Sequence, residues 1–295
     1  MSTSTPAAVI ADVIGPTPPR LRRSALARLV RNREAVLGLT VLAVVVAVSV
    51  LAPWLAPHDP NAGDAGNVLA PTGSPGHPLG TDEQGRDVLS RVLHGGRGAL
   101  VVAVGSVAVA LVAGTAIGLF AAFAGRRTSG LLMRAVDLMF AFPVILVALS
   151  LAAIIRPGPW VLVGTVIFAA VPYITRIVFA EAKVEREKDY VEAARSLGAS
   201  EASILWTEVL PNLVSSVVIY GTSLVGVNIV FTASLSALGL GVQPPDPDWG
   251  RMISEGAKVL VNGSPGVATF PAVAILLVSL AFNWLGDGLR DVLDP

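Results

Sequence analysis

Few side chains in this 295-residue chain could hold a metal, move a proton or attack a substrate. All three histidines, His58, His77 and His94, fall in one segment, 57–98. Their spacing matches no local zinc-ligand pattern, so no metal site is assigned. The absence of cysteine removes disulfides, thiolate metal sites and nucleophilic thiols. No G-x-x-x-x-G-K-[ST] loop is present to cradle a nucleotide phosphate. Gly239-Leu-Gly241 begins a dinucleotide-like G-x-G, but Pro244 stands where the third glycine is needed. Neither H-E-x-x-H nor G-x-S-x-G occurs, and no catalytic residue is assigned. Asp137 lies near the start of an apolar run with Arg134 three residues before it, which reads as a local ion pair and not as a proton relay. Asn228 is the one amide deep in the apolar run 214–240, where it either bonds across helices or lines a path.

The elements that must position these residues are apolar helices. Hydrophobic residues make up 53% of the chain and charged residues 14%, with 21 basic and 21 acidic side chains and a mean hydropathy of +0.70. A water-soluble domain is about 25% charged, so this composition excludes an ordinary cytosolic enzyme. The neutral charge balance argues against a nucleic-acid binder. Residues 1–19 read as a disordered tail. Arg22-Arg23 ahead of an apolar run suggests a twin-arginine export signal, but the run is long enough to span and lacks a cleavage site. Six stretches approach the ~20 apolar residues that cross a bilayer: 35–56, 99–124, 136–155, 160–174, 214–240 and 266–285. Fifteen of the 21 lysines and arginines fall on the side holding both termini and six on the other, which places the termini in the cytoplasm. Trp54, Trp160, Trp249 and Trp284 fall at span ends, as an aromatic belt requires.

Two polar segments stand out. In 57–98, Thr81 with Gln84 forms a capping-box pattern. Val88, Leu89, Val92 and Leu93 follow on one face, with Arg86, Asp87, Ser90 and Arg91 opposite, until Gly95-Gly96. The expectation is a short helix in the interface plane, either a lid on the bundle or part of a docking surface. The second segment, 176–212, carries five basic and seven acidic residues. It reads as a helix over about 181–197, a left-handed cap at Gly198, and a second short helix capped by Ser200. This charged elbow is a solvated connector or a docking knob. The strip Tyr190, Ala193, Ala194 and Leu197 suits a closely approaching partner. Gly105, Gly114 and Gly118 read as close helix-packing positions.

The elbow runs Tyr190-Val-Glu192-Ala193-Ala194-Arg-Ser-Leu197-Gly198-Ala199-Ser200 and ends at Leu210-Pro211. It resembles the EAA motif of permease subunits of binding-protein-dependent ABC importers. Three further stretches resemble the peptide-importer subgroup. The first is His77-Pro-Leu-Gly80-Thr81-Asp82-Glu-Gln-Gly85-Arg86-Asp87, continuing to Arg91. The others are Leu235-Ser-Ala-Leu-Gly239-Leu-Gly241-Val-Gln243-Pro244-Pro245 and the C-terminal run from Phe282-Asn283 to Asp294-Pro295. Together, over about residues 20–295, they resemble the C-type permease of dipeptide and oligopeptide ABC importers.

That resemblance implies an all-α polytopic membrane protein of six transmembrane helices, with a MetI-like permease fold and an extra N-terminal span. It implies an arm over 1–34, a first span and external loop over 35–98, and a five-span core over 99–295 containing the elbow 176–212. It also implies a bacterial cytoplasmic-membrane location, a second permease subunit as heterodimer partner, two ATP-binding subunits carrying ATP and Mg, and an extracytoplasmic peptide-binding protein. This chain itself would hold no cofactor and would contact lipid but no nucleic acid. The helix around Glu192–Gly198 would be the coupling helix. Nickel importers share much of the pattern. A secondary transporter would need intramembrane carboxylates, which are nearly absent. A membrane scaffold that only recruits soluble partners is the remaining class.

Overall fold

A computed structural model describes residues 28–293; the expected tail over 1–19, Arg22-Arg23 and the final Asp294-Pro295 lie outside the described residues. The described residues form an all-helical bundle without named strands. Helix α1 spans Arg33–Val50, α2 Val88–Phe123, α3 Arg126–Ala141, α4 Val144–Ile155, α5 Pro159–Arg186 and α6 Asp189–Ser196. A single turn, Glu201–Ile204, and a π turn, Leu205–Val209, lead into α7, Leu210–Ala237; α8 spans Trp249–Val259 and α9 Gly266–Leu293. Five helices are long and apolar enough to cross a membrane, or six crossings if the bent pair α3–α4 counts as one.

The expected third span over 136–155 is broken. Helix α3 ends at Ala141 and α4 starts at Val144, with an 85° bend between them. Pro143 explains the break, because it removes a backbone donor and disfavours helical geometry at Phe142. The pair still carries the chain from one end of the bundle to the other. The corner after α4 bonds to the corner after α7, Gly158 N–H donating to the Leu240 carbonyl at 3.1 Å. At the opposite end, Arg186 after α5 donates to the Ala122 carbonyl at the close of α2. Asn32 donates to Asp291 at 2.9 Å there, so both described termini share the elbow's end.

Helix α2 is the column of the bundle. At 36 residues it is about 54 Å long, well beyond a ~30 Å hydrocarbon core. It packs on α5 where side chains vanish: a Cβ at Gly114 would come within 2.8 Å of Ile174, and one at Gly118 within 2.9 Å of Val178. Gly105, expected to pack likewise, faces open space.

The expected short interfacial helix ending at Gly95-Gly96 does not form. The cap is Asp87, which accepts from Ser90 N–H at 2.7 Å, and α2 runs through both glycines without interruption. Thr81 does not cap a helix; its hydroxyl accepts from Ala70 N–H and donates to the Asn67 carbonyl, tying the loop to itself. Gly95 and Gly96 leave room for Trp249, whose indole would lie within 2.9 Å of a Cβ at either. Trp249 is therefore core rather than belt: it is 3% exposed and donates to the Val92 carbonyl at 2.8 Å. Trp54 and Trp160 are exposed, as a belt position requires.

Trp249→Ala is expected to cost about 3–5 kcal/mol of stability, because the neighbouring glycines cannot refill the space. Trp249→Phe loses chiefly the indole hydrogen bond, worth about 1 kcal/mol. Thermal unfolding in detergent should rank wild type above Trp249→Phe and Trp249→Phe above Trp249→Ala.

Candidate functional site: the elbow and the opposite end

The elbow is built by local rules and then anchored by distant ones. Gly198 adopts φ +90°, where an L side chain is strained, and Ala199 N–H closes the turn onto the Ala194 carbonyl at 3.1 Å. Ser200 caps the next turn by accepting from Ser203 N–H. The helix expected over 181–197 is two helices, because α5 ends at Arg186 and α6 begins at Asp189.

Buried Val191, Ile204, Val209 and Leu213 seat the elbow against Leu119 and Ala122 of α2 and Val178 and Ala182 of α5. Arg186 sits over the Phe123 ring at 4.4 Å and also pairs with Glu201 at 3.2 Å. Arg195 donates to the same Glu201 at 2.8 Å, and that bond raises the Arg195 guanidinium above its ordinary range. Sequence reasoning did not pair Arg186 with Glu201, because that partnership depends on how the chain folds back.

The expected docking strip divides. Glu192 and Ala193 are exposed, and Leu197 is 89% exposed. Trp206, which sequence reasoning did not single out, is 67% exposed on the same elbow. Ala194, Ala199 and Leu210 are half-buried, and Pro211 is exposed.

Tyr190 is exposed too, at 37%, but its hydroxyl is engaged by the neighbouring helices. Its hydroxyl donates to Glu185 of α5 and accepts from Asn212 of α7 at 2.9 Å, while Lys188 pairs with Glu185 at 2.6 Å. Burial, reinforced by the bond to Glu185, pushes the Tyr190 phenol up to about 12, so it remains a donor at neutral pH. These residues line a cavity of about 650 Å³ with Glu181 and Ser216. A second cavity of about 660 Å³ shares Asn212 and Ser216 and reaches Asp287 and Arg290 of α9.

Asn228 is buried and donates to Leu224 of its own helix, at 2.9 Å, and among the described residues it bonds to no other helix. Asp137 pairs with Arg176 of α5 and not with Arg134, because folding brings α3 against α5.

The loop-signature residues at the other end face inward. Gly80 and Gly85 have positive φ, and a Cβ there would meet the carbonyl oxygens of Ala70 at 2.5 Å and Asp64 at 2.0 Å. Asp82 accepts from the backbone N–H of Arg86 at 3.0 Å, pairs with the Arg86 Nε at 2.6 Å, and lies 3.5 Å from the Nε of Arg91. Arg91 is fully buried and donates to the carbonyls of Pro60 and Pro245. Arg86 and Arg251 both pair with Glu255, joining α8 to the loop. The expected face of Arg86, Asp87, Ser90 and Arg91 toward water is thus an interior network. His58 and His77 converge on Asp87, a grouping that sequence spacing could not show, while His94 bonds the Ser90 carbonyl.

Asp82→Ala should leave buried Arg91 with carbonyl acceptors and, among the described residues, no carboxylate within ion-pair distance, and Arg86 with Glu255 alone, and cost about 3–5 kcal/mol. Limited proteolysis of the 57–87 loop in detergent should accelerate accordingly, while cleavage at the elbow is unchanged.

With this geometry in view, the comparisons are specific. The family model described as "Binding-protein-dependent transport system inner membrane component" matches residues 114–295, and that of the "N-terminal TM domain of oligopeptide transport permease C" matches 20–71. A glutathione transport system permease protein of Pectobacterium atrosepticum is 40% identical over 268 residues, covering 91% of this chain and 89% of the relative. A di/tripeptide transport system permease protein of Pseudomonas aeruginosa is 39% identical over 272 residues, covering 90% and 88%. A putative peptide transport system permease protein of Brucella abortus matches over 91% of this chain and 90% of its own length. The chain belongs to the binding-protein-dependent transport system inner membrane components: it is a multi-pass inner-membrane permease subunit of a bacterial ABC importer, in which ATP hydrolysis belongs to partner subunits.

Proposed function

We propose that this chain passes di- or oligopeptides across the cytoplasmic membrane as one half of a permease heterodimer. An extracytoplasmic peptide-binding protein delivers the substrate. Two ATP-binding subunits, holding ATP and Mg, drive the cycle from the cytoplasm. The peptide assignment draws on the peptide and glutathione permeases among the relatives and on the loop and C-terminal stretches quoted above. The cytoplasmic placement of the elbow and both termini draws on the fifteen-to-six division of basic residues.

The observation that carries the mechanism is the exposure of apolar side chains on the elbow, Leu197 at the end of α6 with Glu192 and Ala193 exposed on the same helix, and Trp206 exposed in the turn that follows. An apolar tip rimmed by charge suits a cleft in a soluble partner. The elbow is fastened to α2 and α5 by Arg186, Val191 and Ile204, so a push on its tip reaches two spans as a rigid displacement. In this reading Tyr190, Glu185 and Asn212 tie the elbow to α5 and α7, and both cavities beside them open toward the cytoplasm.

Uptake of a labelled dipeptide by membrane vesicles containing the whole complex tests this. Gly198→Pro forbids the positive φ, and Glu192→Lys inverts a charge at the tip. Each should abolish ATP-driven uptake while the chain remains in the membrane at its normal level. Leu197→Asp should reduce recovery of the ATP-binding subunits in a detergent pull-down. Normal uptake by all three variants would remove the elbow from the coupling mechanism. A complex that couples ATP hydrolysis normally but carries no peptide would overturn the substrate alone.

A further inference from the structure

We infer that His58, His77 and Asp87 form a binding site for a divalent transition metal at the end of the bundle opposite the elbow. The site is independent of the transported substrate. The three residues come from separate places: the chain just after α1, the middle of the loop, and the N-cap of α2. Their ligand atoms lie within 4.8 Å of one another. His77 Nδ1 is 3.0 Å and His58 Nδ1 4.0 Å from the same oxygen, Asp87 Oδ1. A tetrahedral site with bonds of about 2.0–2.2 Å holds its donor atoms about 3.3 Å apart. The His58 side chain is 41% exposed, so it has room to move the fraction of an ångström that separates its 4.0 Å from that spacing.

Charge strengthens the case. The Asp87 side chain is fully buried. Its neighbours Arg86 and Arg91 are committed to Asp82 and Glu255, and among the described residues no lysine or arginine nitrogen lies within ion-pair distance of Asp87. A buried carboxylate without a cationic partner is costly. Among the described residues, the side chains that meet its Oδ1 are two imidazoles, His77 in hydrogen-bond contact at 3.0 Å and His58 at 4.0 Å, stacked 4.6 Å apart and inclined at 26°. A metal ion bound between the rings and the carboxylate would place a fixed positive charge against this buried group.

The surroundings are also those of a metal site. Asp87 Oδ2 accepts from both the N–H and the hydroxyl of Ser90, which fixes the carboxylate with Oδ1 turned to the imidazoles. The Ser90 hydroxyl in turn accepts from the His58 backbone N–H at 3.2 Å, so one serine orients two ligands. Such outer contacts are a regular part of metal centres. Two imidazoles and one carboxylate favour zinc, cobalt, nickel or copper over calcium or magnesium. The exposed His58 leaves an entry path and room for water as a fourth ligand. The bound ion would pin the start and the middle of the 57–87 loop to the head of α2.

The test uses the chain purified in detergent, alone or in its complex, without a metal-affinity tag and stripped with chelator. Calorimetric titration with zinc should find one site per chain, and cobalt should give the intense visible bands of a four- or five-coordinate ion. His58→Gln should weaken zinc binding by about tenfold or more and abolish the cobalt bands, with its metal-free thermal midpoint unchanged because His58 is exposed. His94→Gln, which removes a histidine outside the cluster, should bind like wild type. Zinc should raise the thermal midpoint of wild type but not of His58→Gln. Absence of a one-to-one site, or equally tight binding by His58→Gln, would overturn the assignment and leave the imidazoles as proton-bearing partners of Asp87.

Discussion

Two missing side chains hold this architecture in place. At Gly114 and Gly118 helix α2 meets α5 closely enough that a single methyl group would collide with Ile174 and Val178. In a bilayer the hydrophobic effect does not drive helices together, so close packing of this kind must do it. The consequence reaches both ends of the molecule. Helix α5 runs directly into the elbow, and Arg186 at its end grips Ala122 and Phe123 at the end of α2. The head of α2 carries Asp87, Ser90 and Arg91, the centre of the opposite network. The elbow and that network therefore sit on the two ends of one stiff contact.

The opposite network solves a problem of solvation. Five charged groups, Asp82, Arg86, Arg91, Arg251 and Glu255, are mostly withdrawn from water beside the bundle. Each is offset by a neighbour of opposite sign or by carbonyls at the loop corners, such as those of Pro60, Pro245 and Val242. Buried pairs of this kind contribute little net stability against apolar replacements, but removing one partner is severe. What the network supplies is specificity: it allows one arrangement of the 57–87 loop over α2 and α8. Asp87 has no arginine or lysine partner among the described residues, and the histidines gather on it.

Local physics was readable in the sequence and nonlocal physics was not. Gly198 and Ser200 form the turn and cap that their residue types suggest, because such geometry involves only neighbouring residues. The apolar runs became membrane-crossing helices because burial in lipid follows composition. Thr81 failed as a cap because Asp87 is a better one and because the loop recruits the threonine hydroxyl. The pattern Asp87-x-x-Ser90 carried that signal. Gly95 and Gly96 continue a helix because Trp249, more than 150 residues away, fills the space they leave. The division at 187–188, the tie of the Tyr190 hydroxyl to Asn212 and the convergence of His58 with His77 all depend on contacts between distant segments.

The same distinction explains Asp137. Its partner is Arg176, and the pair is half-exposed on the surface of α3 and α5, with the guanidinium 4.9 Å from the Phe140 ring centre. Arg176 lies ten residues before the end of α5, about 15 Å along its axis. Hydrocarbon cannot solvate an ion pair, and charged groups within spans face protein or water. The broken helix points the same way, since a break at Pro143 frees backbone groups that lipid cannot satisfy. The surface carrying Asp137, Arg176 and the α3–α4 bend therefore belongs against protein or an aqueous space. The apolar faces of α1, with exposed Leu37, Leu39, Val44 and Val46, have the composition that lipid accepts. A single chain whose walls divide in this way is chemically incomplete by itself, as a subunit of a larger importer must be.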